Sequence, residues 1–181
     1  GDLIVDIGSN DGTLLSSFQR RGMKVVGVEP TQAARVANKN KIKTYEEFFS
    51  IDSAKKIVAK HGKAKIITAT NVFAHIDDTP KLIRAVKAMM GKDSIFVSES
   101  QYLGDIVEKL EFDTVYHEHL RFYALKPLIR LATDAGMSII DAERIDAAGG
   151  SIRVSMKIGK HSPSARVAQI LKEEIALGLY D

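Results

Sequence analysis

Four adjacent side chains that can donate, accept or titrate stand together in the second half of the chain: Tyr116, His117, Glu118 and His119. A histidine exchanges protons near neutral pH, and a neighbouring carboxylate can orient its ring and stabilise its charged form. A tyrosine hydroxyl can hydrogen-bond a developing oxyanion. Together these groups suit abstraction of a proton from a carbon next to a carbonyl group.

The same segment allows two other interpretations. Histidine and glutamate are metal-ligand types, but the sequence offers no second cluster to complete a site, so we predict no metal. The other alternative is a solvated polar turn without a chemical role.

A second group of candidate residues forms a glycine-containing loop near the start of the chain, Asp6-Ile7-Gly8-Ser9-Asn10-Asp11-Gly12. Glycines permit a tight turn and let a ligand approach the backbone closely. Glu29 follows Gly12 by 17 residues, stands before Pro30, and is placed to accept hydrogen bonds from ribose hydroxyls. The pattern predicts a nucleotide cofactor, and the alternative is a simple turn with Asp11 capping the following helix.

The side chains of this loop discriminate between two cofactors. A dinucleotide requires G-x-G-x-x-G with its pyrophosphate above the helix N-terminus. Asn10 and Thr13 replace the second and third glycines, and Asp11 would repel the phosphates. S-adenosylmethionine carries no phosphate, and its positive ammonium and sulfonium groups suit Asp6 and Asp11. The loop therefore favours S-adenosylmethionine over NAD.

Short apolar runs alternate with helical patterns along the chain, which predicts an α/β fold with a parallel sheet between helices. The predicted strands cover residues 3–7, 24–28, 42–45, 65–70 and 94–97, and the predicted helices cover 12–21, 31–40, 53–61, 79–90 and 125–135. Two further strands, 138–144 and 151–158, have a short connection that predicts an antiparallel hairpin at the sheet edge. Residues 98–123 are expected to be irregular.

Ligands of such sheets bind at the carboxyl ends of the strands. The glycine loop follows the first predicted strand, and Glu29 ends the second. Asn71 and Val72 follow the fourth strand and are further candidates for contact with the cofactor. His75, close behind them, is interpreted as a structural or helix-capping histidine.

Composition limits the classes of protein. Of 181 residues 45% are apolar and 27% charged, which is typical of a globular domain and not of a disordered chain. No apolar run approaches the roughly 18 residues that cross a bilayer, and no signal peptide is visible. The net charge of +3 gives no electrostatic reason to expect a nucleic-acid partner. The absence of cysteine excludes thiolate chemistry, and we expect a cytoplasmic location without a membrane partner.

Four segments together resemble the S-adenosylmethionine-dependent sugar C-methyltransferases that act on nucleotide-linked deoxysugars. They are 6–12 with Glu29-Pro30, 71–78, 112–119, and 149–154. The resemblance implies a Rossmann-like class I methyltransferase fold, with a mostly parallel seven-stranded sheet and an antiparallel edge hairpin. It implies a methyltransferase domain over residues 1–160 and, over 161–181, a linker or the first helix of a C-terminal domain. Because the family also has an N-terminal zinc domain, the chain is expected to be part of a longer protein.

The resemblance also implies roles for individual residues. His119 would be the general base, with Tyr116 and Glu118 beside it, and would remove the proton next to the ketone of a 4-keto sugar to form an enolate. Residues of the acceptor pocket would be His117, Gly149, Gly150 and Arg153. Arg153 suits a substrate diphosphate. The glycine pair is also interpretable as a plain turn, and Arg153 as a solvated arginine of an edge strand.

Three other functions remain open at this stage. A methyltransferase for another small-molecule acceptor, at oxygen or nitrogen, would use a similar base. A nicotinamide-dependent oxidoreductase is disfavoured by Asn10 and Asp11. A non-catalytic domain that binds a nucleoside or sugar is disfavoured by Tyr116, Glu118 and His119. The expected partner is a small-molecule substrate, and the sequence predicts no oligomeric state.

Overall fold

Alternation of buried strands and amphipathic helices governs the architecture, as the sequence predicts. The computed structural model describes residues 1–180. The strands are β1 (Leu3–Ile7), β2 (Lys24–Val28), β3 (Thr44–Tyr45), β4 (Ala64–Thr70), β5 (Met90–Gln101), β6 (Met137–Ile145) and β7 (Ser151–Ile158). The α-helices are α1 (Thr13–Gln19), α2 (Ala33–Lys39), α3 (Ile51–His61), α4 (Thr79–Met89), α5 (Leu103–Lys109), α6 (Leu125–Asp134) and α7 (Ala165–Ala176). Short 3-10 helices cover Phe73–His75 and Phe112–Thr114.

The strands form one seven-stranded sheet in the order β3-β2-β1-β4-β5-β7-β6. Strand β1 runs parallel to both β2 and β4, and β2 runs parallel to β3. Strands β6 and β7 pair antiparallel at the edge. The predicted α/β class, the mostly parallel seven-stranded sheet and the antiparallel edge hairpin are confirmed.

Backbone contacts divide the chain into two compact units. The first unit contains Gly1–Thr70 and Asp78–Phe96, and the second contains Asn71–Asp77 and the chain from Val97 onward. In the first unit every residue of β1 is buried, which is typical of a strand covered on both faces. Its helix α4 begins as predicted, because Asp78 caps the N–H of Lys81 and Pro80 occupies the first turn.

In the second unit, α7 is joined to α6 through a buried carboxylate. Glu174 has no exposed surface and accepts the backbone N–H groups of Leu125 and Lys126 at the start of α6. These N–H groups lack partners inside their own helix, so the distant carboxylate satisfies them. Helix α7 lies within the predicted segment 161–181, whose last residue, Asp181, lies outside the described residues. The proposed boundary at residue 160 stays a prediction.

Three elements differ from the sequence-based expectation. Strand β5 is much longer than the predicted 94–97, and helix α5 lies inside the stretch expected to be irregular. Strand β3 is shorter than predicted, because Ile42 is buried in a core cluster with Ile4, Leu15 and Val25 instead of pairing in the sheet. Apolar periodicity reports burial, and burial alone does not distinguish a sheet residue from a core residue of a loop. Within residues 1–180, no helix has the length and apolar character needed to cross a membrane.

Candidate active site

The glycine loop of the first unit turns through three residues in the left-handed region: Gly8 (φ 71°), Asn10 (φ 49°) and Gly12 (φ 84°). Every backbone N–H from residue 8 to residue 13 has an acceptor within the chain. The acceptors are the Val28 carbonyl for residues 8 and 9, Glu29 for residue 10, Asn10 Oδ1 for residue 11, the Ser9 carbonyl for residue 12 and Asp11 Oδ1 for residue 13. A pyrophosphate binds through free N–H groups at such a loop, and here they are all engaged. The geometry supports the preference for a cofactor without phosphates.

Glu29 lies directly after β2 and is 7% exposed. Its carboxylate accepts hydrogen bonds from two loops, the glycine loop and the loop before α2. Its Oε2 accepts the N–H of Asn10 at 3.0 Å, and its Oε1 accepts the N–H of Thr31 at 2.9 Å. A carboxylate has about four lone-pair positions, so both oxygens can still accept hydroxyl groups. Pro30, beside it, is exposed in the same loop. Glu29 therefore has acceptor positions for ribose hydroxyls, and its ribose-binding role stays a prediction.

Asp6 is buried in β1 beside its cross-strand neighbour Thr68, whose hydroxyl donates to Asp6 Oδ1 at 2.6 Å. Burial, with a further contribution from the negative charge of Glu29, raises the pKa of Asp6 to about 7, although the Thr68 hydrogen bond opposes the shift. A carboxyl poised near neutrality becomes fully charged when a cation approaches. Asp6 can therefore respond to a positively charged ligand.

Asp11 and Ser9 have different surroundings, and their predicted contacts with a cofactor stay predictions. Asp11 is exposed and accepts both the N–H and the hydroxyl of Thr13, which lowers its pKa. It thus caps α1, as the alternative interpretation expects. Ser9 is buried against Gly27, where an added Cβ would lie 2.3 Å from Ser9 Oγ. That hydroxyl has no hydrogen-bond partner in the described chain.

S-adenosylmethionine fits this set of groups. Glu29 offers acceptors for ribose hydroxyls, Asp6 is a carboxyl that responds to positive charge, and the loop leaves no amide free for a phosphate. The remaining candidates, Asn71 and Val72, belong to the second unit. Asn71 is exposed with φ 56°, and its N–H donates to the Glu99 carbonyl.

A pocket of about 280 Å³ lies within the second unit. This volume is close to the lower end of the roughly 300–1,000 Å³ typical of small-molecule sites. Its lining residues come from the end of β5 and from three loop segments: Asn71, Ala74, His75, Ser100, Gln101, Tyr116, His119 and Ala148. Tyr116 and His119, predicted to act together, both line it.

The two hydrogen bonds of His119 determine which ring nitrogen carries the proton. His119 Nδ1 lies 3.2 Å from the carbonyl oxygen of Thr114, and Nε2 lies 3.0 Å from the hydroxyl of Tyr116. A carbonyl only accepts, so Nδ1 carries a proton and donates it to Thr114. In the neutral form of the ring, the lone pair is then on Nε2, on the side of the Tyr116 hydroxyl.

His75 stands beside His119, with 5.1 Å between the ring centroids. Its Nδ1 lies 3.0 Å from the Glu118 carbonyl oxygen, so by the same reasoning Nδ1 is the donor. A second bond, from the N–H of Leu120 to the Ala74 carbonyl at 2.8 Å, joins the same two segments. Sequence reasoning interpreted His75 as structural only. Its position just after a strand was the signal that it could reach the site.

Glu118 does not hold the imidazole of His119, contrary to expectation. Its carboxylate is exposed and lies 3.9 Å from Nε2 of His117, which is itself exposed and does not line the pocket. The Thr114 carbonyl orients His119 instead. Glu118 contributes through its backbone, which anchors His75. In residues 1–180, no three His, Asp or Glu side chains are grouped so as to hold a metal.

Gly149 and Gly150 form the tight turn of the edge hairpin, with φ of 84° and 148°. A Cβ on Gly150 would lie 2.4 Å from Asp105, and one on Gly149 would lie 2.7 Å from Glu111. The glycine pair therefore allows close packing, as the turn interpretation expects. It also shapes the pocket, because the adjoining Ala148 lines it.

Arg153 is engaged by carboxylates. Its Nε and Nη2 donate to Glu99 at 3.0 and 2.9 Å, and Glu143 lies 3.9 Å from Nη1. A substrate diphosphate would have to compete with Glu99, so the predicted phosphate contact of Arg153 stays a prediction.

Comparison with known proteins identifies the family. Residues 2–142 match the family model described as a methyltransferase domain. The chain belongs to this family. It is also 34% identical to the C-methyltransferase NovU of Streptomyces niveus in an alignment of 182 positions that covers 99% of this chain and 43% of that protein. The chain thus spans less than half of this relative.

Solved structures support the fold. The magnesium protoporphyrin IX methyltransferase of Synechocystis with bound SAH superposes with a TM-score of 0.67 at 14% identity, over 88% of this chain and 75% of that one. An S-adenosylmethionine-dependent methyltransferase of Clostridium acetobutylicum gives the same TM-score and identity, over 88% and 85% of the two chains. The predicted Rossmann-like class I methyltransferase fold is confirmed. Family membership also confirms the predicted enzyme class, a methyltransferase dependent on S-adenosylmethionine.

Proposed function

We propose that this chain methylates a carbon atom of a nucleotide-linked keto-deoxysugar, through an enolate formed by a histidine base. The observation that carries the proposal is the position of His119, whose Nδ1 is held by the Thr114 carbonyl and whose Nε2 lies in a pocket beside the hydroxyl of Tyr116. The name of the relative, a C-methyltransferase, favours carbon over oxygen or nitrogen as the acceptor. The nucleotide-linked sugar rests on the four sequence segments that resemble the sugar C-methyltransferases.

Binding of the cofactor is assigned to residues of the first unit, and the contacts of Asn71 and Val72 with the cofactor stay predictions from the sequence. Glu29 holds the ribose hydroxyls, while Asp6 supplies negative charge and Gly8 and Gly12 shape the loop. When bound, S-adenosylmethionine supplies an electrophilic methyl group on a positively charged sulfur. The chain itself must generate the carbon nucleophile, because an unactivated sugar C–H is too weak an acid to lose its proton to histidine.

Rotation of the Tyr116 hydroxyl away from His119 would free two groups for the reaction, the base His119 Nε2 and the hydroxyl itself. In the structure this hydroxyl is hydrogen-bonded to His119 Nε2 at 3.0 Å. When it turns away, Nε2 is free to take the proton from the carbon next to the ketone. The C–H electron pair then forms the enolate, and the freed hydroxyl can donate to the developing enolate oxygen. The Thr114 carbonyl holds Nδ1–H and stabilises the imidazolium that results.

His75 is the second base of the pocket. Its Nε2 makes no hydrogen bond within residues 1–180, and its ring contacts that of His119. We assign it to hold the acceptor next to His119, or to accept the proton where His119 is removed. We keep the proposal that four further residues lie near the acceptor: His117, Gly149, Gly150 and Arg153. The glycine pair would act through the turn that it forms.

The test is His119→Ala in the full-length protein, assayed by mass spectrometry with a panel of nucleotide-linked 4-keto-deoxysugars. We expect turnover to fall by about 10²–10⁴-fold, the usual contribution of a positioned base. Binding of S-adenosylmethionine should change little. In heavy water, the parent should incorporate deuterium next to the ketone, and the variant should do so more slowly. His161→Ala is a matched control, since His161 is exposed and its side chain bonds only to the Ile158 carbonyl.

Three results separate the alternatives. A product methylated on oxygen or nitrogen would contradict C-methylation and support the alternative, a methyltransferase for another acceptor. Near-parental turnover in His119→Ala would show that His119 is not the base, and His75 or Tyr116 would be the next candidate. Saturable binding of NAD by the parent, without binding of S-adenosylmethionine, would contradict the cofactor assignment.

A further inference from the structure

The acceptor pocket contains a hydrogen-bond acceptor that the proposed reaction does not use. Gln101 is the last residue of β5 and lines the pocket. Its side-chain Oε1 is buried and has no donor within the described chain. A buried acceptor without a donor loses its hydration without compensation. An unpartnered Gln101 Oε1 at the pocket therefore points to a donor that the ligand supplies.

The orientation of the Gln101 amide follows from its neighbour. Its Nε2 donates to the carbonyl of Ala148 at 3.4 Å, a long hydrogen bond. If the amide were rotated by half a turn, Oε1 would face that carbonyl, and two acceptors would oppose each other. The amide is therefore oriented with Nε2 toward Ala148 and Oε1 left without a donor.

Ala148 holds this orientation at a conformational cost. Its φ of 50° lies in the left-handed region, which alanine seldom adopts. The turn is supported by Gly149 and Gly150, which pack against Glu111 and Asp105, and by Lys109 Nζ, which donates to the Gly149 carbonyl. A strained residue held firmly at a pocket wall is typical of functional sites.

We propose that Gln101 is a specificity-determining residue, whose side-chain carbonyl accepts a hydrogen bond from a hydroxyl or amino substituent on the ring of the acceptor sugar. The assignment rests on the proposed function, because it takes the pocket of His75 and His119 as the acceptor site. The end of a sheet strand is a suitable place for such a contact, since it is fixed by the strand and not by a loop. The substituent recognised in this way would hold the ring, so that the acidic carbon meets the base.

The experiment compares the parent with Gln101→Met in the full-length protein, using nucleotide-linked 4-keto-deoxysugars that lack one ring hydroxyl each. Methionine has similar length but no strong hydrogen-bonding group. For the intact acceptor, kcat/KM should fall about tenfold, mainly through KM, as expected for loss of one hydrogen bond. The Kd of S-adenosylmethionine should stay within about twofold. Gln169→Met, at an exposed position of α7 bonded only to Glu173, is the matched control.

One analogue should remove the difference between parent and variant, because it lacks the group that Gln101 binds. An acceptor with an amino group at that position tests the second donor chemistry. Gln101→Glu keeps an acceptor oxygen and adds negative charge, so it should shift preference toward the amino acceptor. This variant decides the proposal if Gln101→Met does not fold.

Equal losses with every analogue would show that Gln101 only supports the pocket wall, and would overturn the proposal. No loss, or an increase in the Kd of S-adenosylmethionine, would overturn it as well. If the parent binds a keto sugar without methylating it, the proposed function fails, and calorimetric binding by the same variants decides the role of Gln101. If the parent neither binds nor methylates any of them, both proposals fail.

Discussion

Replacing Glu29 by glutamine should weaken both the cofactor site and the loop that forms it. In the parent, each oxygen of the carboxylate accepts a backbone N–H, from Asn10 at 3.0 Å and from Thr31 at 2.9 Å. Glutamine has nearly the same shape, but its NH₂ must face one of these two donors. One hydrogen bond to a charged group is then lost, and the carboxylate charge is removed.

The expected magnitudes follow from those contacts. A hydrogen bond to a charged group contributes about 1.5–3 kcal/mol, so Glu29→Gln should reduce the free energy of unfolding by roughly this amount. Loss of the charged acceptor for the ribose hydroxyls should cost a similar amount in binding, about 10- to 100-fold in Kd. Glu29→Ala, which removes both acceptors, should lose at least as much.

Calorimetric titration with S-adenosylmethionine and S-adenosylhomocysteine measures the binding, and thermal unfolding of the unliganded protein measures the stability. Glu47→Gln is the matched control, because Glu47 is paired with Lys56 at the protein surface and its loss should change Kd by less than about twofold. If Glu29→Gln lowers stability but binds both ligands as tightly as the parent, Glu29 anchors the loop and does not hold the ribose. That result would refute the placement of the cofactor.

Two further predictions concern Asp6 and Glu118. The folded protein holds the proton of Asp6 up to a pKa of about 7, against an ordinary 3.8, so this carboxyl becomes progressively more destabilising as pH rises from about 4 to 7. Asp6→Asn should therefore gain melting temperature relative to the parent across that range and level off above it, and a constant difference from pH 4 to 8 would contradict the buried carboxyl. Glu118→Gln in the full-length protein should reduce turnover by less than about tenfold, because its carboxylate is exposed beside His117; a loss as large as that of His119→Ala would show that this carboxylate acts on the base.

Most strands of the sheet could be predicted from the sequence, because a buried strand has a local pattern of apolar residues. Strand β1 is an apolar run interrupted only by Asp6, and the turn glycines after β1 and before β7 stand at positions where the backbone needs positive φ. The same local logic failed for β5 and α5. Strand β5 contains Gly91, Lys92 and Asp93, which are typical of a loop, and sheet pairing overrides that preference.

The site was predictable in its residue types and less so in their contacts. Tyr116 and His119 were expected to act together, and three residues of chain suffice to join them. Thr114 was not expected to orient His119, because a backbone carbonyl has no signature in the sequence. Nor was Glu118 expected to turn its carboxylate toward His117, since the direction of an exposed side chain depends on the turn that carries it.

By itself, the sequence determined the order of the strands and of the helices other than α5, the glycine loop, the acid at the end of β2 and the titratable segment, since all of these are local patterns. Only the tertiary structure decided which distant groups meet. Thr68 lies 62 residues from Asp6 and reaches it through strand register, while His75 lies 43 residues from Glu118 and bonds to its backbone. Burial and hydrogen bonding between remote residues depend on how the strands align, and that alignment is set by packing of the whole chain. The shifted pKa of Asp6 and the paired imidazoles of the pocket are therefore properties of the fold.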